Sequence, residues 1–310
     1  MLPEFARGSR WLFAAVAAAV VACMLDVQAE EFSPLEMALM PLLWGEKPGQ
    51  EEEAYVKYRY EHTKLFTSDP FPVQLGGVQV KLTSFFITAQ RRFDNERHSQ
   101  DRPYRSDYLN FISTTAGILP GLDFNVTMGY AILRDNLELT PTGDGLTDVF
   151  LGSTWMFYSN NDVDFFMGLL ARVFLPTGGQ ANPVQLGPSE ISEAVEIRLT
   201  TAKDFPYNWT ANYDIGWVYF FGTTPDDVDD VFLTNLAIGY QATDWLQPVV
   251  EINYLHLFRV GEPDSDDLAL SAGFLMPLKR TRIELGVQQV VAGRNRDQFT
   301  AISLTFAYTF

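Results

Sequence analysis

The last ten residues alternate between large apolar and small side chains. This alternation limits the possible folds of the chain more than any other feature of the sequence. Residues 301–310 read AISLTFAYTF, which places Ile302, Leu304 and Phe306 on one side of an extended chain. A period of two predicts a β-strand, because successive side chains leave opposite faces of the pleat. The apolar face of such a strand can pack on a soluble core, or it can face lipid around a polar lumen.

The same alternation recurs along most of the chain. It is clear in residues 122–130, 207–221 and 282–288 and less regular in residues 80–94 and 105–119. Further segments with this pattern are 146–158, 163–175, 190–202, 231–242, 246–259 and 267–278. A membrane-spanning strand needs only about 10 residues. Beyond residue 29, no apolar run reaches the roughly 18 residues that a spanning helix needs.

The connections between these segments alternate in length. Tight joints fall at 119–122, 159–162, 203–207, 242–245 and 277–282, and longer polar stretches at 94–105, 134–145, 175–190, 222–230, 261–267 and 293–298. This sorting is typical of an outer-membrane barrel, with short periplasmic turns and longer external loops. We therefore predict an all-β fold, a transmembrane antiparallel β-barrel of about twelve strands over residues 80–310. Its closure leaves no unpaired strand edge in lipid.

The N-terminal 29 residues have the features of a cleaved signal peptide. A positively charged start precedes an apolar stretch, residues 11–25, and small residues occupy the cleavage positions up to Ala29. We expect export, a mature chain that begins at Glu30, and residence in the outer membrane of a Gram-negative bacterium. The alternative is a lipobox that leaves Cys23, the single cysteine, lipidated. Cleavage after Ala29 leaves no cysteine, and so no disulfide or thiol site.

Residues 30–79 do not follow the barrel pattern. Residues 32–47 have the spacing of a short amphipathic helix, and residues 54–66 resemble a strand. This N-terminal segment can plug the lumen, lie in the periplasm or add strands. A loop at residues 176–189 is uncharged, so it can fold inward without burying an ion. The candidate plugs are this loop and residues 30–53.

The charge balance limits the possible partners. The chain has 39 acidic and 22 basic residues, a formal net charge of −17, without basic clusters, so we expect no nucleic-acid partner and no cofactor. The acidic stretches 225–230 and 262–267 offer carboxylate oxygens that divalent cations prefer. Neither has the spacing of an EF-hand loop, and both lie in predicted external loops. We therefore expect solvated acidic loops and no metal site.

The alternation assigns eight charged residues to the inner face of the barrel. They can line a polar, wet pore, or they can pair with one another and fill a narrow barrel structurally. A barrel of about eight strands is filled by its own side chains, whereas a porin barrel leaves a wide aqueous channel. Twelve strands enclose an intermediate space, which favours a restricted channel. The eight residues assigned to the inner face are Asp148, Arg172, Glu196, Arg198, Asp214, Glu251, Arg282 and Glu284.

Two motifs in the middle of the chain resemble a known family. Gly145, Asp148, Leu151 and Gly152 form a Gly-x-x-Asp-x-x-Leu-Gly strand, and the next hairpin ends in Leu-Pro-Thr-Gly at residues 175–178. Both are similar to the outer-membrane proteins of the "MetA-pathway of phenol degradation" family, and the likeness extends loosely from residue 107 to residue 310. The resemblance implies a barrel and a transporter-like role, in some members associated with aromatic-compound catabolism. It implies no particular substrate-binding residues.

Together these observations predict an outer-membrane channel or transporter for small solutes, hydrophobic or aromatic ones among them. Its expected partners are the solute, outer-membrane lipid and the outer-membrane assembly machinery. We expect that machinery to recognise Phe306, Tyr308 and Phe310 as a C-terminal signal. A structural or surface-binding barrel that displays acidic external loops is the alternative. A barrel lipid hydrolase is a further alternative, but none of the three histidines has the His-x-Ser pattern of barrel phospholipases. We expect no catalytic residues, and we assign His256 to an interfacial aromatic belt.

Overall fold

The chain is built almost entirely of β-strands in the part that the structure describes. The structure is a computed structural model, which describes residues 64–135, 143–178, 193–221 and 228–310. In these ranges, no helix has the length and apolarity needed to cross a membrane. The strands are β1 (Val78–Phe93), β2 (Ser99–Leu119), β3 (Leu122–Asp135), β4 (Gly143–Leu146), β5 (Val149–Asn160), β6 (Phe165–Leu175), β7 (Ala194–Phe205), β8 (Trp209–Phe220), β9 (Val228–Tyr240), β10 (Gln247–Arg259), β11 (Ser265–Leu278), β12 (Thr281–Arg294) and β13 (Asp297–Thr309).

Several expectations fall on residues outside these described ranges, and they stay predictions. They are the signal peptide over 1–29 with Cys23, the candidate helix at 32–47, the candidate plug at 30–53, most of the candidate strand at 54–66, His62, residues 179–189 of the candidate loop plug, and residues 225–227 of the first acidic stretch.

The strands form one closed antiparallel barrel. Each strand pairs with its neighbours in sequence, and β1 pairs with both β2 and β13, which closes the ring. β4 and β5 both pair with β3, so they are two parts of one barrel strand that is interrupted at Thr147 and Asp148. The thirteen segments therefore make a barrel of twelve strands, as predicted. The first strand begins at Val78, two residues before the predicted start.

The loop lengths differ between the two ends of the barrel. All five predicted tight joints connect consecutive strands at the end that also holds the C-terminus, which we call the short-turn end. The opposite end is the long-loop end. There the prediction of a longer loop at 293–298 is wrong, because β12 and β13 continue to Arg294 and Asp297 and leave two residues between them. Backbone pairing does not require apolar side chains, so polar residues prolong the hairpin. Asn295 adopts a positive φ of 53° in this turn, which asparagine tolerates.

The two faces of the strands follow the predicted alternation. In β13, Ile302 and Leu304 are about half exposed on the outside, whereas Ser303 and Thr305 are buried on the inside. In β8, the outward aromatic residues are likewise exposed, and Thr210, Asn212 and Asp214 are buried. An apolar exterior is expected of a barrel in a membrane, because its outward side chains contact lipid.

The less regular period of β1 and β2 has a specific cause. Phe85 in β1 and Phe111 in β2 point inward, with ring centroids 6.1 Å apart, so large apolar residues occur on both faces of these strands. Phe86 and Ile112 are exposed on the outside. An inward aromatic residue weakens the alternation that sequence reasoning relies on.

Outward aromatic residues form a belt near the long-loop end of β8, β9 and β10. The rings of Trp217 and Phe258 stack at 5.2 Å, and Phe232 packs edge-on against Trp217. His256 packs against Phe258 with ring centroids 4.4 Å apart. This position of His256 agrees with the interfacial role assigned to it from the sequence, since aromatic side chains favour the membrane–water boundary.

Candidate functional site: the barrel lumen

Four of the predicted inward residues form one group of ion pairs on β6, β7 and β8. Arg172 lies 3.4 Å from Glu196, and Arg198 pairs with both Glu196 and Asp214, the latter at 3.6 Å. Glu196 and Asp214 are almost completely buried. Each of these two carboxylates is therefore compensated by an arginine. The remaining positions are separate: Arg282 pairs with Glu284 at 2.7 Å on β12, and Asp148 lies at the long-loop end.

Uncharged polar side chains extend this group around the barrel wall. Asn235 donates to Asp214 at 2.8 Å, and Asn253 donates to Asn235 at 3.0 Å. Ser271 and Gln288 both donate to Asn253 Oδ1. The resulting network links β8 to β12. These uncharged residues were not singled out from the sequence, and no local pattern indicates their mutual hydrogen bonds.

Part of the inner wall is buried by neighbouring side chains. Thr210 and Asn212 are fully buried, and Thr210 Oγ1 accepts a hydrogen bond from the Gln247 amide at 3.3 Å. A Cβ added to Gly239 would lie 2.8 Å from Thr210 Oγ1. The short-turn half of this wall is therefore packed, since neighbouring side chains leave no room for water around these groups.

Residues 64–77, which we call the lumen segment, run inside the barrel and bind inward-facing carboxylates. Glu251 accepts hydrogen bonds from the backbone N–H groups of Leu65 at 2.6 Å, Phe66 at 3.0 Å and Thr67 at 3.1 Å. Asp214 accepts from the N–H of Ser68 at 2.6 Å. Hydrogen bonds to an ionised acceptor are stronger than neutral ones. The wall carboxylates therefore hold the main chain of the segment directly.

A third carboxylate holds the other end of the lumen segment. Asp123, at the start of β3, accepts the N–H of Val73 at 3.0 Å and the N–H of Thr154 at 2.9 Å. The chain then pairs with β2, where the N–H of Gly76 donates to the carbonyl of Gly117 at 3.0 Å, before β1 begins.

Inward-facing glycines make room for the lumen segment. A Cβ added to Gly168 in β6 would lie 2.9 Å from the Cα of Pro70, closer than real contacts allow. Cβ atoms added to Gly273 and Gly286 would lie 2.9 Å and 3.1 Å from a methyl group of Leu65. A side chain at Gly168 would therefore clash with the backbone of the segment, whereas at Gly273 and Gly286 the side chain of Leu65 would have to move.

The contacts trace the path of the segment across the barrel. In order from Val73 to Leu65, they fall on β3, β6, β8, β10 and finally β11 with β12. Strands spaced about 4.8 Å apart and tilted by about 40° give a twelve-stranded barrel about 24 Å across at the backbone. Nine extended residues reach about 30 Å, so residues 65–73 are long enough to cross the lumen.

Toward the long-loop end, the inner wall becomes apolar. A cluster of inward side chains from β6 to β10 contains Phe174, Ala194, Val218, Phe220, Val228, Val231 and Leu233, with Phe150, Leu255 and Leu257 packed against it. We call this cluster the apolar wall. A row of phenylalanine rings joins it to the lumen segment in the order Phe174, Phe150, Phe111, Phe85 and Phe66, with neighbouring centroids 4.9 to 6.3 Å apart. This row was not predicted from the sequence.

The two motifs that carry the family resemblance contact each other. Asp148 Oδ1 accepts the N–H of Gly178 at 2.9 Å, and Thr177 Oγ1 accepts the N–H of Val149 at 2.9 Å. Gly152 lies next to Arg172, whose Cγ would be 3.2 Å from an added Cβ. These hydrogen bonds therefore hold residues 175–178 against Asp148 and Val149, where the strand formed by β4 and β5 is interrupted.

The second acidic stretch is not the solvated loop expected from the sequence. Arg97 binds both carboxylate oxygens of Asp266, at 2.7 and 2.8 Å, and Arg296 lies 3.0 Å from Asp267. Both aspartates are buried, and both belong to β11, which begins at Ser265. Asp94, in the loop that carries Arg97, accepts the backbone N–H groups of His98 and Glu96, and these hydrogen bonds lower its pKa.

The proposed assembly residues lie at the short-turn end. Phe306 is exposed on the outer face, and Tyr308 and Phe310 pack edge-on with ring centroids 4.8 Å apart. The N–H of Phe310 donates to the carbonyl of Val78 at 2.8 Å, so the last residue is fixed by its backbone while its ring remains exposed.

A closed twelve-stranded antiparallel barrel with an apolar exterior and a polar, ion-paired interior has the architecture of a bacterial outer-membrane protein. The chain belongs to the family described as "Putative MetA-pathway of phenol degradation", whose model matches residues 92–306. The resemblance noted in the sequence is thereby confirmed. A search of curated proteins finds no significant match.

The similarity to a solved channel structure supports the fold. An outer-membrane channel from Pseudomonas putida F1 is similar with a TM-score of 0.68 at 11% identity, and the match covers 80% of this chain and 100% of that one. The β domain of the Bordetella autotransporter Brka gives a TM-score of 0.48 at 12% identity, with 76% and 99% covered. The toluene transporter TodX of Pseudomonas putida gives 0.40 at 11% identity, with 75% and 89% covered.

Proposed function

We propose that the protein is an outer-membrane channel for small hydrophobic or aromatic solutes, in which the lumen segment restricts passage. The barrel fold, shared with the channel of Pseudomonas putida F1, is compatible with this role. The family description, which refers to phenol degradation, supports an aromatic solute.

The observation that carries the proposal is the apolar wall. The interior of a water-filled porin is polar, because hydrated solutes pass through it. Here Phe174, Val218 and Leu233 face inward, where no lipid can reach them. Binding sites for small uncharged molecules are lined mainly by such apolar and aromatic side chains. The row of phenylalanines continues this surface from the apolar wall to Phe66 of the lumen segment.

The lumen segment supports a restricted passage rather than an open pore. Its N–H groups bind Glu251, Asp214 and Asp123 on different parts of the wall, so it crosses the space that a wide channel would leave free. A solute must therefore pass beside the segment or displace it.

The proposal is tested by uptake of a fluorescent naphthylamine probe into intact cells, since simple lipid vesicles are themselves permeable to such molecules. We expect expression of the protein to raise the uptake rate several-fold. Val218 and Val231 are directly paired neighbours in the apolar wall, and changing both to threonine keeps their shape but adds two hydroxyl groups. This double variant should lower the rate, because unpaired hydroxyls are costly against an apolar solute.

Val290→Thr is the matched control for this experiment. Val290 is also buried, but it belongs to a separate cluster with Phe93 and Ala269. Its variant should leave probe uptake close to that of the unchanged protein. Uptake that is the same with and without the protein would refute the channel proposal.

A structural barrel is the competing function, and the ion-paired group on β6, β7 and β8 favours it. Arg172, Glu196 and Arg198 fill part of the lumen with mutual contacts, as a barrel without a transport role would require. A folded protein that raises neither probe uptake nor bilayer conductance would support this alternative.

Localisation in the outer membrane belongs to the same proposal, with export by the signal peptide and assembly through the C-terminal aromatic residues. We expect the protein to fractionate with outer membranes and to migrate faster in detergent gels when it is not heated. Recovery as a soluble periplasmic protein would contradict this localisation.

A further inference from the structure

Glu251 differs from Asp214 and Glu284, its neighbours on the inner wall, in what compensates its charge. Its oxygens accept the N–H groups of Leu65, Phe66 and Thr67, together with the hydroxyl of Thr67 at 3.2 Å. The remaining partner is the side-chain amide of Asn253 at 3.4 Å. Among the residues that the structure describes, no lysine or arginine forms an ion pair with it.

The neighbouring carboxylates keep charged partners on the wall itself. Asp214 has Arg198 and Asn235 in addition to the N–H of Ser68. Glu284 is paired with Arg282, and in the described part of the chain no N–H group of the lumen segment donates to Glu284. Release of the segment would therefore leave Asp214 and Glu284 compensated, but it would deprive Glu251 of most of its donors.

A buried carboxylate without donors is unfavourable, because desolvation penalises the charged form. Glu251 is 2% exposed, so water does not compensate its charge while the lumen segment is bound to the wall. The charge of Glu251 and the position of residues 65–67 therefore depend on each other. The glycines Gly273 and Gly286, which admit the side chain of Leu65, place the segment within reach of this carboxylate.

We propose that Glu251 is the positioning residue that holds the lumen segment against the barrel wall. As a control on solute passage this role rests on the function proposed above, whereas the holding of the segment can be measured without any transport. Glutamine at position 251 has the same shape, but it lacks the charge and presents an NH₂ group where N–H donors converge. Glu251→Gln should therefore free residues 65–68 from the wall.

The test is the rate at which a charged thiol reagent labels a cysteine introduced into the segment by Ser68→Cys, in a Cys23→Ala background. This position is chosen because the N–H of Ser68, and not its side chain, makes the main contact with Asp214. Adding Glu251→Gln should raise the labelling rate at least about tenfold, which corresponds to about 1.4 kcal/mol. Glu251→Asp, which keeps the charge but withdraws the oxygens by one methylene, should give a smaller rise.

Glu284→Gln is the matched control, because it removes an inner-face carboxylate to which no described N–H group of the lumen segment donates. It should change the labelling rate less than about twofold, because the hydrogen bonds that hold residues 65–68 end on Glu251 and Asp214. Heat-modifiable migration establishes that each variant forms a barrel. Equal labelling in Glu251→Gln and the parent protein would overturn the proposal, and so would equal rises in Glu251→Gln and Glu284→Gln.

Bilayer conductance of the same proteins separates this proposal from the proposed function. Faster labelling of Glu251→Gln together with higher conductance supports both. Faster labelling without any conductance or probe uptake supports the positioning role of Glu251 and refutes the channel. Unchanged labelling refutes the positioning role whatever the conductance is.

Discussion

Replacing Ile215 by arginine should destabilise the barrel strongly, because this residue faces outward at the middle of β8. It lies six residues from Trp209 and five from Phe220, the two ends of the strand. A rise of about 3.3 Å per residue and a tilt of about 40° place it roughly 13 to 15 Å from either end of the strand along the membrane normal. That depth is the centre of an apolar band about 25 Å tall.

An arginine at the bilayer midplane costs about 2 to 4 kcal/mol, and near the interface the cost falls to about 0 to 1 kcal/mol. Ile238 provides the matched control, since it also faces outward and lies two residues from the short-turn end of β9, about 5 Å below the strand end. An arginine there can extend its charged group to the interface. The same chemical change should therefore have unequal effects at the two positions.

The assay is urea titration of the protein refolded into lipid vesicles, followed by the unheated band in detergent gels. We expect Ile215→Arg to lower the free energy of unfolding by at least about 2 kcal/mol, near 30-fold in the equilibrium constant, and Ile238→Arg by at most about 1 kcal/mol. Equal losses at both positions would refute the assignment of β8 to a lipid-facing transmembrane strand.

Three further predictions follow from single contacts. Deleting Phe310, whose ring is exposed, should lower the assembled fraction in cells while refolding into detergent stays intact; equal loss in both would make it a packing residue. Gly168→Val should displace Pro70 and raise bilayer conductance with the barrel still folded, and unchanged conductance would argue against a restricting segment. Asp148→Ala removes the acceptor for the N–H of Gly178 and should cost about 1 to 3 kcal/mol in urea unfolding, whereas no loss would make that hydrogen bond dispensable.

The barrel was predictable from the sequence because its signals are local. Outward Leu304 and inward Ser303 are neighbours in the chain, and the period of two that separates them needs no knowledge of the rest of the molecule. The tight joints are local as well, so the number of strands and the faces of most of them followed. The prediction was weakest where local signals fail, as at residues 293–298, where polar residues continue two strands instead of forming a loop.

The candidate site was predictable only in part. Alternation placed Glu196, Asp214 and Glu251 on the inner face, but it could not assign their partners. Glu251 binds residues that precede it by 184 to 186 positions, and no local pattern encodes such a distance. The aromatic row was missed for a related reason, since an inward phenylalanine such as Phe85 looks in sequence like an irregular strand.

The amino-acid sequence was enough to predict the strand period, the strand count, the lipid-facing side and the family, because each depends on residues close together in the chain. The three-dimensional arrangement was needed to show that residues 64–77 run inside the barrel and which carboxylates and glycines contact them. It also decided that the apolar wall lies at the long-loop end. The physical reason is closure: joining β1 to β13 brings distant strands around one lumen, and there burial, charge pairing and packing select contacts that no single strand specifies.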